Sequence, residues 1–288
     1  MELSVTLDYF LTKLETGEPR PIEEAAALCK AAGFDYVDYS SRYTEDDWEE
    51  IAHRDREALD AAGIRVEQTH APFNRYDAYP ADKFAEYYDR LFKVSKILGA
   101  KFVVCHADEY RVTDRYDPQE IEDFAYDYLA PHVEYAAKNG MTVAIENLFE
   151  DHAKTAAIID GKSRFTSRVE ELKGIVERFN TPSVRVCWDF GHGHCAYGSK
   201  MTEALKEVLP LLVCTHTHDN YYNGDLHLPP YFGNVDWMTS MKLLKESGYS
   251  GKLSYELHYG HFPEALFPAF MAFTNQIGKY LISLYEKA

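Results

Sequence analysis

The feature that most constrains the fold is an alternation, repeated eight times, of a short apolar run with a longer stretch of helical periodicity. The short runs are rich in β-branched and aromatic residues, as buried strands are. Strands that alternate with helices predict βα units and a parallel sheet, and therefore an α/β protein. The eight predicted strands cover residues 3–8, 36–40, 65–70, 102–106, 142–147, 185–189, 213–218 and 253–258.

Predicted helices lie between these strands, and glycines mark where five of them end. Gly33, Gly63, Gly99, Gly140 and Gly248 each follow a helical stretch and precede a strand, as glycine C-caps do. The helical stretches cover residues 22–32, 46–62, 83–98, 120–138, 170–179, 202–208, 237–246 and 263–285.

The length of 288 residues allows either one barrel or two smaller domains. No stretch rich in Pro, Gly or Ser separates two halves of the chain. Eight βα pairs without such a linker favour one (β/α)8 TIM barrel domain over residues 1–288, rather than an open doubly wound sheet. The longest irregular connection, residues 149–167, follows the fifth strand and is a candidate lid.

The sequence also indicates where in the cell the protein is located. No stretch approaches the roughly 18 consecutive apolar residues of a membrane span, and residues 1–10 lack the layout of a signal peptide. Cys105, Cys187 and Cys214 lie in strand-like runs, and no CxxC pair is present among the five cysteines. That usage is typical of reduced, buried thiols. We therefore expect a cytoplasmic protein that does not enter the membrane.

The formal net charge of −17 disfavours nucleic acid as a partner, because it repels a polyanion. A net charge does not exclude a local anion site. Several basic residues follow predicted strands, namely Arg42, Arg75, Arg111, Arg115, Lys162 and Arg164.

Histidines and carboxylates concentrate where the predicted strands end, which is the face that carries the active site in a β/α barrel. Imidazole nitrogen and carboxylate oxygen are ligands of Zn²⁺ and Mn²⁺, and the lack of thiolates argues for a hydrolytic or isomerising site rather than a structural one. The strand-end residues are His70, His106, Glu146, Asp189, His216 and Glu256. His192 follows Asp189 by three residues, and Asp225 and His227 lie in the loop after the seventh strand.

Neighbouring strands bring these residues into three groups, so one to three ions are expected. Glu146 and Glu256 are the most telling members, because each lies in an apolar run where burying an unpaired carboxylate is costly. A single histidine at a strand end is more often a hydrogen-bonded core or rim residue than a ligand. The expected groups are Glu146, Asp189, His216 and Glu256; His70, His106 and Glu146; and His192, Asp225 and His227. No ligand role is assigned to His194, His218, His258 or His261, which lie near the same rim.

Eight short motifs occur in an order that resembles the xylose isomerase-like TIM barrel superfamily. That superfamily includes sugar isomerases, ketose 3-epimerases, inosose dehydratases and endonuclease IV, and the resemblance covers essentially the whole chain. The motifs are Thr-His-Ala-Pro-Phe ending at 73, Cys-His-Ala-Asp at 105–108, Ile-Glu-Asn at 145–147, Trp-Asp-Phe-Gly-His at 188–192, Thr-His-Thr-His-Asp-Asn at 215–220, Asp-Leu-His-Leu-Pro-Pro at 225–230, Asn-Val-Asp-Trp at 234–237 and Tyr-Glu-Leu at 255–257.

The resemblance implies roles for particular residues. Glu146, Asp189, His216 and Glu256 resemble the metal-ligand quartet shared across these enzymes, and in epimerase-like members the two glutamates exchange the substrate proton. The remaining predicted ligands resemble the additional ligands of the three-zinc endonuclease, and the set is complete: His70, His106, His192, Asp225 and His227.

These features leave several reactions open. The first hypothesis is a divalent-metal-dependent isomerase or epimerase of a small sugar or sugar phosphate, in which Glu146 and Glu256 transfer protons through an enediolate. The second is a trinuclear-zinc phosphodiesterase on abasic DNA, although residues 9–18 and 41–47 hold few basic side chains to grip a duplex. A keto-sugar dehydratase or lyase begins with the same proton abstraction, and a sugar-binding protein without turnover is the non-enzymatic reading. The sequence does not identify the sugar, the native metal, or whether the protein is a homo-oligomer.

Overall fold

The structure is a computed structural model that describes residues 1–73, 79–107, 117–149, 164–222 and 224–288. Eight parallel strands form one sheet in which β1 to β7 each pair with the next strand in sequence and β8 pairs with β1, which leaves β7 and β8 as the two edges. The Thr217 amide donates to the Ser254 carbonyl at 2.7 Å, and this bridge nearly closes the barrel. The strands are β1 (Glu2–Thr6), β2 (Tyr36–Tyr39), β3 (Arg65–His70), β4 (Phe102–Cys105), β5 (Thr142–Glu146), β6 (Val184–Asp189), β7 (Leu212–His216) and β8 (Lys252–Tyr255).

Helices connect successive strands, so the predicted TIM barrel fold is confirmed. The helices are α1 (Asp8–Leu11), α2 (Ile22–Ala32), α3 (Trp48–Ala61), α4 (Ala81–Leu98), α5 (Pro118–Lys138), α6 (Val169–Phe179), α7 (Phe190–Tyr197), α8 (Met201–Val208), α9 (Trp237–Glu246) and α10 (Phe267–Lys287). The glycines expected to end helices have positive φ, including Gly33 at 95° and Gly99 at 72°, which both cap their helices. No helix in the described part of the chain is long and apolar enough to cross a bilayer.

Three differences from the predicted elements concern the ends of strands and helices. Strand β8 ends at Tyr255 and β4 at Cys105, so Glu256 and His106 lie one residue beyond their strands rather than in them. Helix α10 begins at Phe267, four residues later than predicted. Helices α1 and α7 were not predicted at all. Most of the candidate lid, residues 150–163, lies outside the described residues.

A layer of small side chains lies inside the barrel directly below the predicted donors. Val104, Ala144, Cys187 and Cys214 form a buried cluster contributed by β4, β5, β6 and β7. Side chains alternate faces along a strand, so each of these residues shares its face with the residue two positions later. Those later residues are His106, Glu146, Asp189 and His216. The layer therefore forms the floor of the candidate site. All five cysteines are buried and free, as expected for reduced thiols.

Candidate metal centre

The structure brings the nine predicted residues together at the C-terminal mouth of the barrel. His70, Glu146, Asp189 and His216 are the last residues of their strands. The turn that follows β6 is fixed by Asp189, whose side chain accepts a hydrogen bond from the His192 backbone amide at 2.6 Å and caps α7. Helix α7 therefore carries His192 back over the barrel mouth.

The first donor group centres on His216. Its Nδ1 lies 2.8 Å from Glu146 Oε1, 3.2 Å from Glu256 Oε2 and 3.9 Å from Asp189 Oδ2. Two donors that each lie about 2.0–2.1 Å from a tetrahedral zinc ion are about 3.3 Å apart, which is close to these separations. The fully buried Asp189 Oδ2 has no hydrogen-bond partner among the described residues. Such an oxygen is costly unless a cation satisfies it, so these four residues fit a divalent metal.

A second donor group surrounds the other oxygen of Glu146. Glu146 Oε2 lies 3.1 Å from His70 Nε2 and 3.1 Å from His106 Nε2. The other nitrogen of His70, Nδ1, lies 2.7 Å from the Ala71 carbonyl and is placed to donate to it. In the neutral ring Nε2 is then an acceptor that faces a carboxylate oxygen. That contact is favourable only when the ring is protonated or a cation lies between the two atoms.

The third donor group is built on the carboxylate of Asp225. Asp225 Oδ2 lies 2.9 Å from His227 Nε2 and 3.4 Å from His192 Nε2. The Nδ1 atoms of both rings face backbone carbonyls, at 2.8 Å for His227 with Glu256 and at 3.0 Å for His192 with Asn147. Carbonyl acceptors of this kind orient ligand histidines with the second nitrogen free to bind an ion.

His218 is a member of this site that the sequence analysis left without a role. Its Nε2 lies 3.0 Å from Asp189 Oδ1 and 3.6 Å from Asp225 Oδ1, and the residue is fully buried. The ring stacks on His227 with centroids 4.0 Å apart and planes 14° apart. A ring nitrogen of His218 lies within 4.8 Å of donor atoms of His192, Asp225 and His227, so His218 is a further possible ligand in the third group. The sequence did contain one indication of this position: His218 is two residues after His216, so in an extended strand both side chains lie on the same face.

The electrostatic field of the site favours charged carboxylates. Burial raises the pKa of Glu146, but the charge of His216 and hydrogen bonds from imidazoles overcome this and hold it well below its usual value. Burial likewise raises the pKa of Glu256, and His216 and His227 bring it down to about 2. A cluster that stabilises anions so strongly with imidazoles has the charge distribution of a cation site.

The loop that carries Asp225 and His227 is held by Asp219, which the sequence analysis also missed. This buried carboxylate accepts hydrogen bonds from the backbone amide of Tyr231 at 2.8 Å and from the indole of Trp237 at 2.9 Å. It also accepts from the amides of Asn220 and Val235. Asp219 therefore fixes both ends of the segment that presents the third donor group.

A cavity of about 250 Å³ opens beside the first donor group, toward β1, β2 and β3. Glu256 reaches its wall, whereas the carboxylate of Glu146 is enclosed by imidazoles. No Lys or Arg lines this cavity among the residues that the structure describes. Of the basic residues predicted near the mouth, Arg42 contacts Asp55 at 3.0 Å and Arg164 is buried. The others, Arg75, Arg111, Arg115 and Lys162, lie outside the described residues.

Comparison with solved structures finds the same fold. A D-tagatose 3-epimerase-like protein matches with a TM-score of 0.73 at 20% identity, over 100% of this chain and 99% of that one. An IolI protein with a bound zinc atom matches with a TM-score of 0.73 at 21% identity, over 100% and 99%. A family 2 AP endonuclease from Brucella melitensis matches with a TM-score of 0.67 at 18% identity, over 92% and 96%.

Sequence comparison identifies the family. An uncharacterized protein of Sinorhizobium fredii is 25% identical over 163 residues, which are 55% of this chain and 48% of that protein. The chain spans about half the length of the curated relatives it matches. The family model described as xylose isomerase-like TIM barrel matches residues 26–277, which is most of the chain. The chain therefore belongs to the xylose isomerase-like TIM barrel family.

Proposed function

We propose that this protein is a divalent-metal-dependent isomerase or epimerase that acts on a sugar or sugar phosphate. The observation that carries the proposal is that the carboxylates of Glu146 and Glu256 both approach His216 Nδ1, at 2.8 and 3.2 Å, and that Glu256 also lines a cavity. The cavity lies just below the roughly 300–1,000 Å³ of typical ligand pockets, so it suits one small molecule. The epimerase-like and zinc-containing structures that share this fold support the same reading.

Glu146, Asp189, His216 and Glu256 are the proposed ligands of the ion that takes part in the reaction. A zinc or manganese ion bound there would act as a Lewis acid on a substrate carbonyl and its neighbouring hydroxyl. The remaining predicted donors would hold up to two further ions, namely His70 and His106 with Glu146, and His192 with Asp225 and His227.

The two glutamates have separate roles in the proposed proton transfer. Glu256, which borders the cavity, removes a proton from a substrate carbon and leaves an enediolate. Glu146, on the strand three steps away around the sheet, is ionised in the free protein. It would therefore take up a solvent proton once substrate is bound and pass that proton to the enediolate. In the reverse direction the two carboxyl groups exchange these roles.

Exchange of substrate C–H protons with deuterated solvent tests this function. Purified protein loaded with Mn²⁺ or Zn²⁺ is incubated with a panel of ketoses and their phosphates, and deuterium uptake is followed by NMR. We expect exchange with at least one member and a loss of about 10²–10⁴-fold in Glu256→Gln. Glu49→Gln, an exposed change in α3, is the matched control. A complete lack of exchange across the panel would contradict the proposal.

A second candidate is phosphodiester cleavage at abasic DNA by three zinc ions. The observation in its favour is that the nine predicted ligands lie in three adjacent groups around Glu146, His216 and Asp225, and the AP endonuclease of Brucella melitensis shares the fold. The net charge of −17 weighs against duplex binding. Nicking of an abasic duplex at low salt by the zinc-loaded protein would place this function first. A dehydratase or lyase would show the same deuterium exchange together with loss of water from the sugar.

A further inference from the structure

Asp38 is a carboxylate buried inside the barrel that none of the three donor groups includes. It lies in β2, where it is the single charged residue among Tyr36, Val37 and Tyr39. The residue is 4% exposed, and burying a carboxylate costs several kcal/mol unless it is paired. A residue of this kind needs an explanation from its surroundings.

Neutral hydroxyl groups surround Asp38 on two sides. Ser4 Oγ donates to Asp38 Oδ1 at 2.8 Å, and Ser254 Oγ donates to Asp38 Oδ2. The two serines come from β1 and β8, so three neighbouring strands build the arrangement. Hydroxyl donors fix the orientation of the carboxylate but do not neutralise its charge. No Lys or Arg is paired with Asp38 among the described residues.

Asp38 faces the Nε2 side of the His216 ring. His216 Nε2 lies 3.9 Å from Asp38 Oδ2, while Nδ1 of the same ring points toward the carboxylates of Glu146 and Glu256. A ring that uses the Nδ1 lone pair for a metal must carry its proton on Nε2. That N–H then lies on the side of the ring that is next to Asp38.

We propose that Asp38 is a positioning residue, which holds the Nε2–H edge of His216 so that Nδ1 faces the metal quartet. The proposal rests on the metal site proposed above but not on which reaction that site performs. Ser4 and Ser254 support it by fixing the carboxylate, so the chain of contacts runs from the barrel wall through Asp38 to His216.

Metal binding by Asp38→Asn tests this role without a substrate. Zinc affinity is measured by competition with a chromophoric chelator, and the stability of the metal-free protein is measured by thermal unfolding. We expect zinc affinity to fall about 10–100-fold, as when the partner of a ligand histidine is removed. Ser254→Ala keeps the charge but loosens the carboxylate, and we expect a smaller decrease in affinity.

Asp55→Asn is the matched control, because Asp55 is also fully buried and hydrogen-bonded to Tyr39 on the outer side of β2. It should change the stability of the metal-free protein and leave zinc affinity unaltered. If wild type binds no zinc, the proposed metal site itself fails. If wild type binds zinc and Asp38→Asn binds it equally well, only the role of Asp38 fails.

The visible spectrum of bound Co²⁺ separates positioning from a simple charge effect. The spectrum is recorded in a His70→Ala, His227→Ala background, which removes one donor from each of the second and third groups, so that the spectrum reports on the quartet. We expect Asp38→Asn to change the band positions and intensities, because a displaced imidazole alters the coordination geometry. A weaker affinity with an unchanged spectrum would overturn the positioning role, since Asp38 would then act only through its charge.

Discussion

Gly191 lies so close to His218 that a methyl group on its Cα would overlap the imidazole ring. Both residues lie next to the third donor group. Gly191 is in α7, and His218 lies two residues beyond the end of β7. The absence of a side chain at 191 is therefore what gives the His218 ring its place against His227.

We expect Gly191→Ala to lower the free energy of unfolding by about 1–3 kcal/mol, because the added methyl overpacks a buried site. Denaturant unfolding measures the change. Gly174→Ala is the control, since Gly174 lies within α6 and a methyl there meets only ordinary contacts. That change should be neutral or stabilising by up to about 1 kcal/mol. Equal stability of Gly191→Ala and wild type would show that His218 has room to move.

Removal of metal should destabilise the protein, because the carboxylates of Asp189 and Asp225 would lose the cation that satisfies their buried oxygens. At a free ion concentration about 100 times Kd, the expected gain from binding is about 2.7 kcal/mol. Thermal unfolding with and without a chelator measures it. Metal analysis of the same samples gives the stoichiometry: one manganese favours the epimerase, and three zinc ions favour the nuclease. An unchanged melting temperature would argue against any bound ion.

Asp219→Asn should weaken the third donor group more than the first. The amide retains one acceptor oxygen and places an NH₂ group against donors such as the Tyr231 amide or the Trp237 indole. We expect a loss of about 1–3 kcal/mol in stability, since buried donors become unsatisfied. Titration with zinc should show one fewer tight site. Retention of every site would mean that the loop holds its shape without the carboxylate.

Arg20→Met should destabilise the contact between α1 and the segment that precedes α10. The guanidinium is buried, donates to the carbonyls of Phe10 and Thr12 and forms an ion pair with Glu264. Methionine keeps much of the volume but leaves the two carbonyls without this donor, so we expect a cost of about 1–3 kcal/mol. Denaturant unfolding measures it, with zinc affinity as the internal reference. A loss of zinc binding in the folded variant would contradict the assignment of Arg20 to structure alone.

The sequence predicted the strands well because each is a short apolar run bounded by clear breaks. Six of the nine predicted ligands end a strand or follow it directly, so strand position alone was enough to group them. Helix α7 was missed because Gly191 and Gly193 dilute the helical pattern, and the helix depends on the Asp189 cap. A cap of that kind is visible only once the turn has formed.

Contacts between distant strands could not be predicted from the sequence. Asp38 meets Ser254 across 216 positions, and nothing local to either residue indicates the pairing. The same holds for His218 and Asp189, which meet only because β6 and β7 are neighbours. Alternation showed which face these residues occupy, but their partners depend on the three-dimensional arrangement of the strands.

Most of the cavity wall comes from the first half of the barrel, and of the proposed quartet only His216 and Glu256 reach it. Thr6, Ser40 and Tyr43, from β1 and the loop after β2, line the cavity, whereas the proposed quartet comes from β5 to β8. Substitutions in the first half can therefore reshape the cavity while the ion's carboxylates and imidazole stay in place. A chain organised in this way can acquire new substrates by changes near its N-terminal half without rebuilding the chemistry, and a library randomised at those three positions is the natural starting point for redesign.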